Sequence, residues 1–172
     1  MRTAAIALIV LFIAGVGYRY LGDTAFPVRP DIGTTEFGPL IDLSANTVLP
    51  VLVLHPPKTR LEAFWSAALA KALGGKEEVR ISHGRIDVLT STYAIEVDWL
   101  HKWHEGLGQA QHYGLNTGKW PAVALIIKPD EWPLNAHRRS KVAEIRLVAE
   151  KLGVEAVLLR YAPPPPPLPS ER

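Results

Sequence analysis

Cysteine is absent from all 172 residues. No disulfide and no thiolate metal site can form, and the redox compartment is left undecided. A strong charge of one sign is missing as well: 19 Lys and Arg against 17 Asp and Glu give a formal net charge of +2. Bulk electrostatics therefore make no case for nucleic acid, and binding of that kind needs a local basic patch. The chain has no P-loop, no G-x-G-x-x-G dinucleotide pattern and no G-x-S-x-G elbow. Nucleotide-cofactor and serine-hydrolase chemistry thus lose their usual sequence support. No internal repeat is visible.

What is present starts with a hydrophobic N-terminal segment. Met1 and Arg2 precede an uncharged run from Thr3 to Tyr18, and the next charge is Arg19. A cationic start before an apolar run is the layout of a secretory signal or a signal anchor. The run falls slightly short of the roughly 20 residues of a full span. Gly15 and Gly17 are followed by Tyr18 and Arg19 without a clear A-x-A site, which favours a retained anchor over cleavage. Residues 1–21 are thus expected to be a signal peptide or membrane anchor. The domain behind them is expected outside the cytoplasm, with the membrane as a partner through this segment.

Prolines at 27, 30, 39, 50, 56 and 57 exclude a long helix, so residues 22–58 read as a Pro-rich tether. Within it Thr47 to His55 is apolar enough for a strand, and Pro50 would confine that strand to a sheet edge. At the other end, Pro163 to Pro167 and Pro169 make residues 162–172 a disordered polyproline tail.

Residues 59–161 carry legible periodicity. Leu61, Phe64, Trp65, Ala68, Leu69, Ala72 and Leu73 recur at helical spacing and stop at Gly74-Gly75. Glu77 to Ser82, Arg85 to Thr90 and Thr92 to Asp98 alternate apolar and polar, with the short links of an antiparallel meander. A helix from Leu100 to Asn116, a buried strand Ala122 to Lys128, a helix Arg138 to Leu152 and a strand Val154 to Tyr161 complete the order. The fold class is α/β: an α-β-β-β-α-β-α-β mixed sheet flanked by helices.

The chemistry concentrates between Gly84 and Gln109. Asp87 falls on the second strand of the meander, Glu96 and Asp98 on the third. Glu96 and Asp98 are two residues apart and share a strand face. Neighbouring strands lie about 4.8 Å apart, so Asp87 can reach the same spot. Clustered carboxylates repel, and a hard divalent cation such as Mg²⁺ or Mn²⁺ resolves the repulsion. Lys102 follows the acidic strand, and at about 100° per residue it lines up with Gly106, Gln109 and Tyr113 at the border of the apolar helix face.

These residues resemble the PD-(D/E)XK nuclease-like superfamily, in particular small bacterial members with Asp-Val-Leu-Thr, Ile-Glu-Val-Asp, Lys-Trp and Gly-Gln patterns. The likeness runs from about Leu61 to Tyr161 and implies a restriction-endonuclease-like fold. It implies Asp87, Glu96 and Asp98 as metal ligands, and Asp87, Glu96, Lys102 and Gln109 as the catalytic set. The expected activity is metal-dependent hydrolysis of phosphodiester bonds in nucleic acid, DNA ahead of RNA. One departure matters: the family places lysine two residues after the acid, where this chain has Asp98, so Lys102 would act from the helix instead. A further family glutamate matches either Glu62 or Glu78. The alternative is a membrane-tethered, nuclease-like domain that binds without cutting.

Blander readings stand beside these. A strand carboxylate is most often solvated; Asp98 could cap the next helix, and Glu78 could pair with Arg80 or Arg85. His101, His104 and His112 share one helix face within about 80° of one another, opposite the apolar one, where plain exposure outweighs a zinc site. Arg138, Arg139 and Lys141 open the last helix, a place where cations either meet phosphate or sit in solvent.

Overall fold

A computed structural model describes residues 30–163. The expected N-terminal signal or anchor (residues 1–21) and residues 164–172 of the proline tail lie outside the described residues. Among the described residues no helix is long and apolar enough to cross a membrane.

Six strands form one mixed sheet: β1 (Val51–Leu54), β2 (Lys76–Ile81), β3 (Gly84–Leu89), β4 (Tyr93–Trp99), β5 (Trp120–Ile126) and β6 (Glu155–Tyr161). Their spatial order is β1-β6-β5-β4-β3-β2. Strands β2, β3 and β4 are the antiparallel meander, whereas β4, β5, β6 and β1 run parallel to one another. The helices are α1 (Glu62–Leu73), α2 (Trp103–Thr117) and α3 (Ala136–Leu152). The mixed α/β architecture and the element order agree with the periodicities, because alternation and helical spacing are set by which side chains must be buried.

The two sheet faces bury separate cores. On one face Trp65, Leu69 and Leu73 of α1 meet Tyr93, Ile95 and Val97 of β4. On the other, Trp103, Leu107 and Ala110 of α2 and Val142, Ile145 and Ala149 of α3 meet Val123 and Leu125 of β5. Strands β4, β5 and β6 are covered on both sides, as parallel strands generally are.

Two expectations change. Residues 30–58 are more than a tether. Phe37 is fully buried against Tyr93, with ring centroids 4.9 Å apart. Glu36 Oε1 accepts from the Ser91 hydroxyl and the Thr92 amide. Asp42 pairs with Arg160 at 2.7 Å. The prolines bar helix, yet they leave room for an edge strand and two 3₁₀ turns, so the segment closes the core without regular structure of any length. The second change is at residue 100: a 3₁₀ turn, Leu100–Lys102, precedes α2, so the expected single helix from Leu100 is broken at its start.

The feature that positions the site is a fork between β3 and β4. These strands are paired only at Val88↔Ile95 and Leu89↔Ala94. Beyond them Ile86 and Val88, which would share a face in a flat strand, enter different apolar clusters. Across β3 from Asp87, Glu78 of β2 has a φ of 53°, a left-handed conformation that costs a non-glycine residue about 1–2 kcal/mol. The irregularity is confined to the neighbourhood of Asp87.

Candidate metal-binding cleft

A cleft of about 410 Å³ opens in the fork. Glu62 of α1, Asp87 of β3, Glu96 and Asp98 of β4, Lys102, and Gln109 and Tyr113 of α2 all line it. The four residues expected from the sequence to act together, Asp87, Glu96, Lys102 and Gln109, are thus brought to one place. So is the third expected ligand, Asp98.

Each side chain is held differently. The Val97 amide donates to Asp87 Oδ2 at 2.9 Å, so a carboxylate takes up a donor that the interrupted ladder leaves over. Asp98 Oδ1 accepts from the Trp99 amide at 2.7 Å and lies 3.4 Å from Lys102 Nζ. It does not cap the following helix, whose first residues have no side-chain cap. Lys102 points into the cleft, where its Nζ also donates to Glu62 Oε1 at 3.3 Å. The Tyr113 hydroxyl donates to Gln109 Oε1 at 3.2 Å, which turns the carboxamide along the helix.

Glu96 is the exception. Its side chain is almost fully buried, and its Oε2 has no hydrogen-bond partner. Burial above all, and then the neighbouring charges of Asp87 and Asp98, push its carboxyl up to about 9. Burial likewise raises Asp87, against the pull of the Val97 amide, and raises Glu62, against the pull of Lys102. Burial and the charges of Glu96 and Asp87 raise the Tyr113 phenol. Lys102 is raised by Asp98 first and then by its bond to Glu62, which keeps it cationic. Burial is thus the common cause that disfavours the charged form of three carboxyls in this cleft.

The close fit of α2 to this strand depends on Gly106. A Cβ there would lie 2.9 Å from Val123 Cγ2, 3.7 Å from Asp98 Cβ and 3.9 Å from Glu96 Cγ. Glycine lets the helix backbone settle directly over the two acids.

Among the described residues no three His, Cys, Asp or Glu side chains already stand together as a ligand set. Asp87 is turned to Val97, and Asp98 to Trp99 and Lys102. The donors nevertheless suit a hard cation: all are carboxylate oxygens, and the buried, unpartnered Oε2 of Glu96 is what such an ion would satisfy. His101 and His104 are exposed, and His112 is hydrogen-bonded to the His83 carbonyl, away from the cleft. Glu78 pairs with Arg85 at 3.2 Å at the cleft's rim.

Of the two glutamates left open by the sequence, Glu62 is the one joined to Lys102. Its place in the first turn of α1 was visible in the sequence, but its neighbour 40 residues onward was not. Tyr113 shared the predicted stripe with Lys102 and Gln109. The part played by Gly106 had no signal beyond its membership of that stripe.

No family model matches the chain, and no solved structure matches it. A curated protein of Acanthamoeba polyphaga mimivirus, a putative KilA-N domain-containing protein, is 33% identical over 93 residues. The aligned stretch is 54% of this chain and only 23% of the viral protein, so the chain is similar to one part of a much longer relative.

Proposed function

We propose that the domain is a metal-dependent nuclease with a restriction-endonuclease-like, PD-(D/E)XK type of fold. The observation that carries this reading is the convergence of Asp87, Glu96 and Asp98 with Lys102 in the fork, with Glu96 buried and its Oε2 lacking a hydrogen-bond partner. Asp87, Glu96 and Asp98 would hold a Mg²⁺ or Mn²⁺ ion, which when bound acidifies a water and neutralises charge on a scissile phosphate. Lys102 supplies a fixed cation for a phosphate oxygen, and Glu62 and Asp98 aim its ammonium into the cleft. Gln109, oriented by Tyr113, offers its amide group to a water or to the ligand. Glu96 would have to lose its proton to hold such an ion, so binding would tighten as pH rises.

Nucleic acid is the partner of this reading, DNA ahead of RNA. Export or anchoring through residues 1–21 belongs to the same reading. A second reading has its own support: Asp98 stands where the family lysine is expected, and Lys102 is already engaged by Glu62 and Asp98. On that reading the domain is a membrane-tethered binding module without catalysis.

The deciding experiment is cleavage of labelled DNA and RNA by the purified full chain with Mg²⁺ or Mn²⁺, beside Asp87→Ala and Glu96→Gln. Cutting by the wild type alone supports the nuclease. Absence of cutting on every substrate favours the binding module.

A further inference from the structure

The carboxylate cleft has a second, larger hollow beside it. Lys102 lines both the cleft and a larger groove of about 870 Å³ that is also bounded by Arg60, Trp99, His101, Lys128 and Asp130. This groove lies outside the carboxyl ends of the parallel strands β4 and β5: Trp99 ends β4, and Lys128 follows Ile126, the last residue of β5, by two. In sheets of parallel strands, ligand crevices open at that edge. His101 in turn lines a third depression with Arg138 and Lys141. The three hollows are thus neighbours, each adjoining pair sharing one lining residue.

The groove's chemistry is one-sided. Three cations, Arg60, Lys102 and Lys128, face a single acid, Asp130. Arg60 and Lys128 are exposed and make no ion pair among the described residues. Lys102 is already engaged by two carboxylates, so Arg60 and Lys128 are the charges available to an incoming anion. Trp99 is half-buried, packing against the core while also lining the groove. Cations along a groove together with an indole are the elements of single-strand recognition, in which phosphates follow the charges and a base stacks on the ring. A duplex keeps its base faces covered and leaves the indole unused.

We propose that this groove binds an unpaired stretch of nucleic acid, with phosphates on Arg60 and Lys128 and a base on Trp99. The strand then passes Lys102 into the carboxylate cleft. The choice of substrate class rests on the nuclease reading, whereas the binding itself requires no cleavage.

The test is fluorescence anisotropy of the full chain in EDTA with labelled dT20, rU20 and a 20-base-pair duplex. The expected result is tighter binding of a single strand than of the duplex, and the two single-stranded probes separate DNA from RNA. Arg60→Ala with Lys128→Ala should weaken single-strand binding at low salt and reduce the slope of log affinity against log salt by about 1.4. Trp99→Ala should weaken it by roughly 5- to 150-fold, and Trp99→Phe should restore most of the loss because a stacking face remains. Preference for the duplex, or wild-type affinity and salt slope in the Arg60/Lys128 double variant, overturns the proposal. Failure of the two ideas is distinguishable. Groove-dependent binding without metal-dependent cutting sinks only the nuclease. Cutting with binding indifferent to these substitutions sinks only the groove.

Discussion

Asp87 Oδ2 accepts the Val97 amide proton at 2.9 Å, a side chain standing where a neighbouring strand's carbonyl would otherwise be. The contact bridges the fork and holds Asp87 beside Glu96. Its removal has separable effects on charge and on hydrogen bonding. Asp87→Asn retains an acceptor for Val97, whereas Asp87→Ala retains none. Both should lose Mn²⁺ binding in a calorimetric titration. In urea denaturation the Asn variant should be the more stable by about 1 kcal/mol; equal stability would mean that the bond holds nothing.

The Glu96 carboxyl makes stability depend on pH with a defined sign. In the unfolded chain it titrates near 4.5, whereas in the folded protein it is pushed up to about 9. Between those values the folded state binds more protons, so metal-free stability is full below about pH 4.5 and falls as pH rises toward 9. Melting in EDTA should be lower at pH 9 than at pH 6 by on the order of 10 °C. Glu96→Gln, a neutral mimic, should remove that slope, and Mn²⁺ should flatten it in the wild type only. A melting temperature that rises over this range in EDTA would contradict the burial of Glu96 as described.

Two glycines two residues apart on α2, on opposite sides of the helix, give opposite expectations. Relief of glycine's backbone entropy alone stabilises a helix interior by about 0.5–1 kcal/mol. Nothing lies within 4 Å of a Cβ at Gly108, so Gly108→Ala should show that gain in full. At Gly106 the new methyl meets Val123 at 2.9 Å, and overpacking of this kind costs about 1–3 kcal/mol. Gly106→Ala should therefore be net destabilising by roughly 1 kcal/mol. Chemical denaturation of the pair settles it.

Lys102 separates chemistry from stability. Its pair with Glu62 is partly exposed, whereas Asp98 is buried and loses its cation, so Lys102→Met should lower stability by about 1–3 kcal/mol, a loss too small to unfold the domain. If the lysine assists attack at the phosphate, the same substitution should slow cleavage by about 10²- to 10⁴-fold. Single-turnover rates with Mg²⁺ measure this, and a wild-type rate in the variant would remove Lys102 from the mechanism.

Phe37 tests the extent of the domain. Truncating a fully buried phenylalanine costs about 3–5 kcal/mol, so Phe37→Ala should lower the denaturation midpoint sharply. A surface tether would tolerate the change.

Much of this architecture was legible in alternation and helical spacing. Val79 and Ile81, Ile86 and Val88, and Tyr93, Ile95 and Val97 mark three strands because each must bury one side. The joint position of Asp87, Glu96 and Asp98 followed from those strands, and Lys102 and Gln109 from the helix after them. The fork itself was hidden. It arises because Ile86 and Val88 pack into different clusters, a tertiary choice that leaves the alternation unchanged. Phe37 was masked by the surrounding prolines, which argue against helix and say nothing about burial. The basic groove was invisible for another reason: Arg60, Trp99 and Lys128 are far apart in the chain and meet only where the strand ends gather.

The fork also divides the molecule by how readily its parts can open. Glu96 and Asp98 sit on β4, which is locked between cores on both faces, whereas Asp87 rides on a hairpin joined to β4 by two backbone pairs, the Thr90–Tyr93 turn and its own carboxylate. Proteins open locally in units bounded by such thin seams. The hairpin β2–β3 should therefore exchange its amide hydrogens sooner than β4–β5–β6, and each opening event would dismantle the carboxylate cluster. Any ion held jointly by the two sides of the seam would act as a clasp, slowing exchange throughout the hairpin, far beyond the residues that it touches.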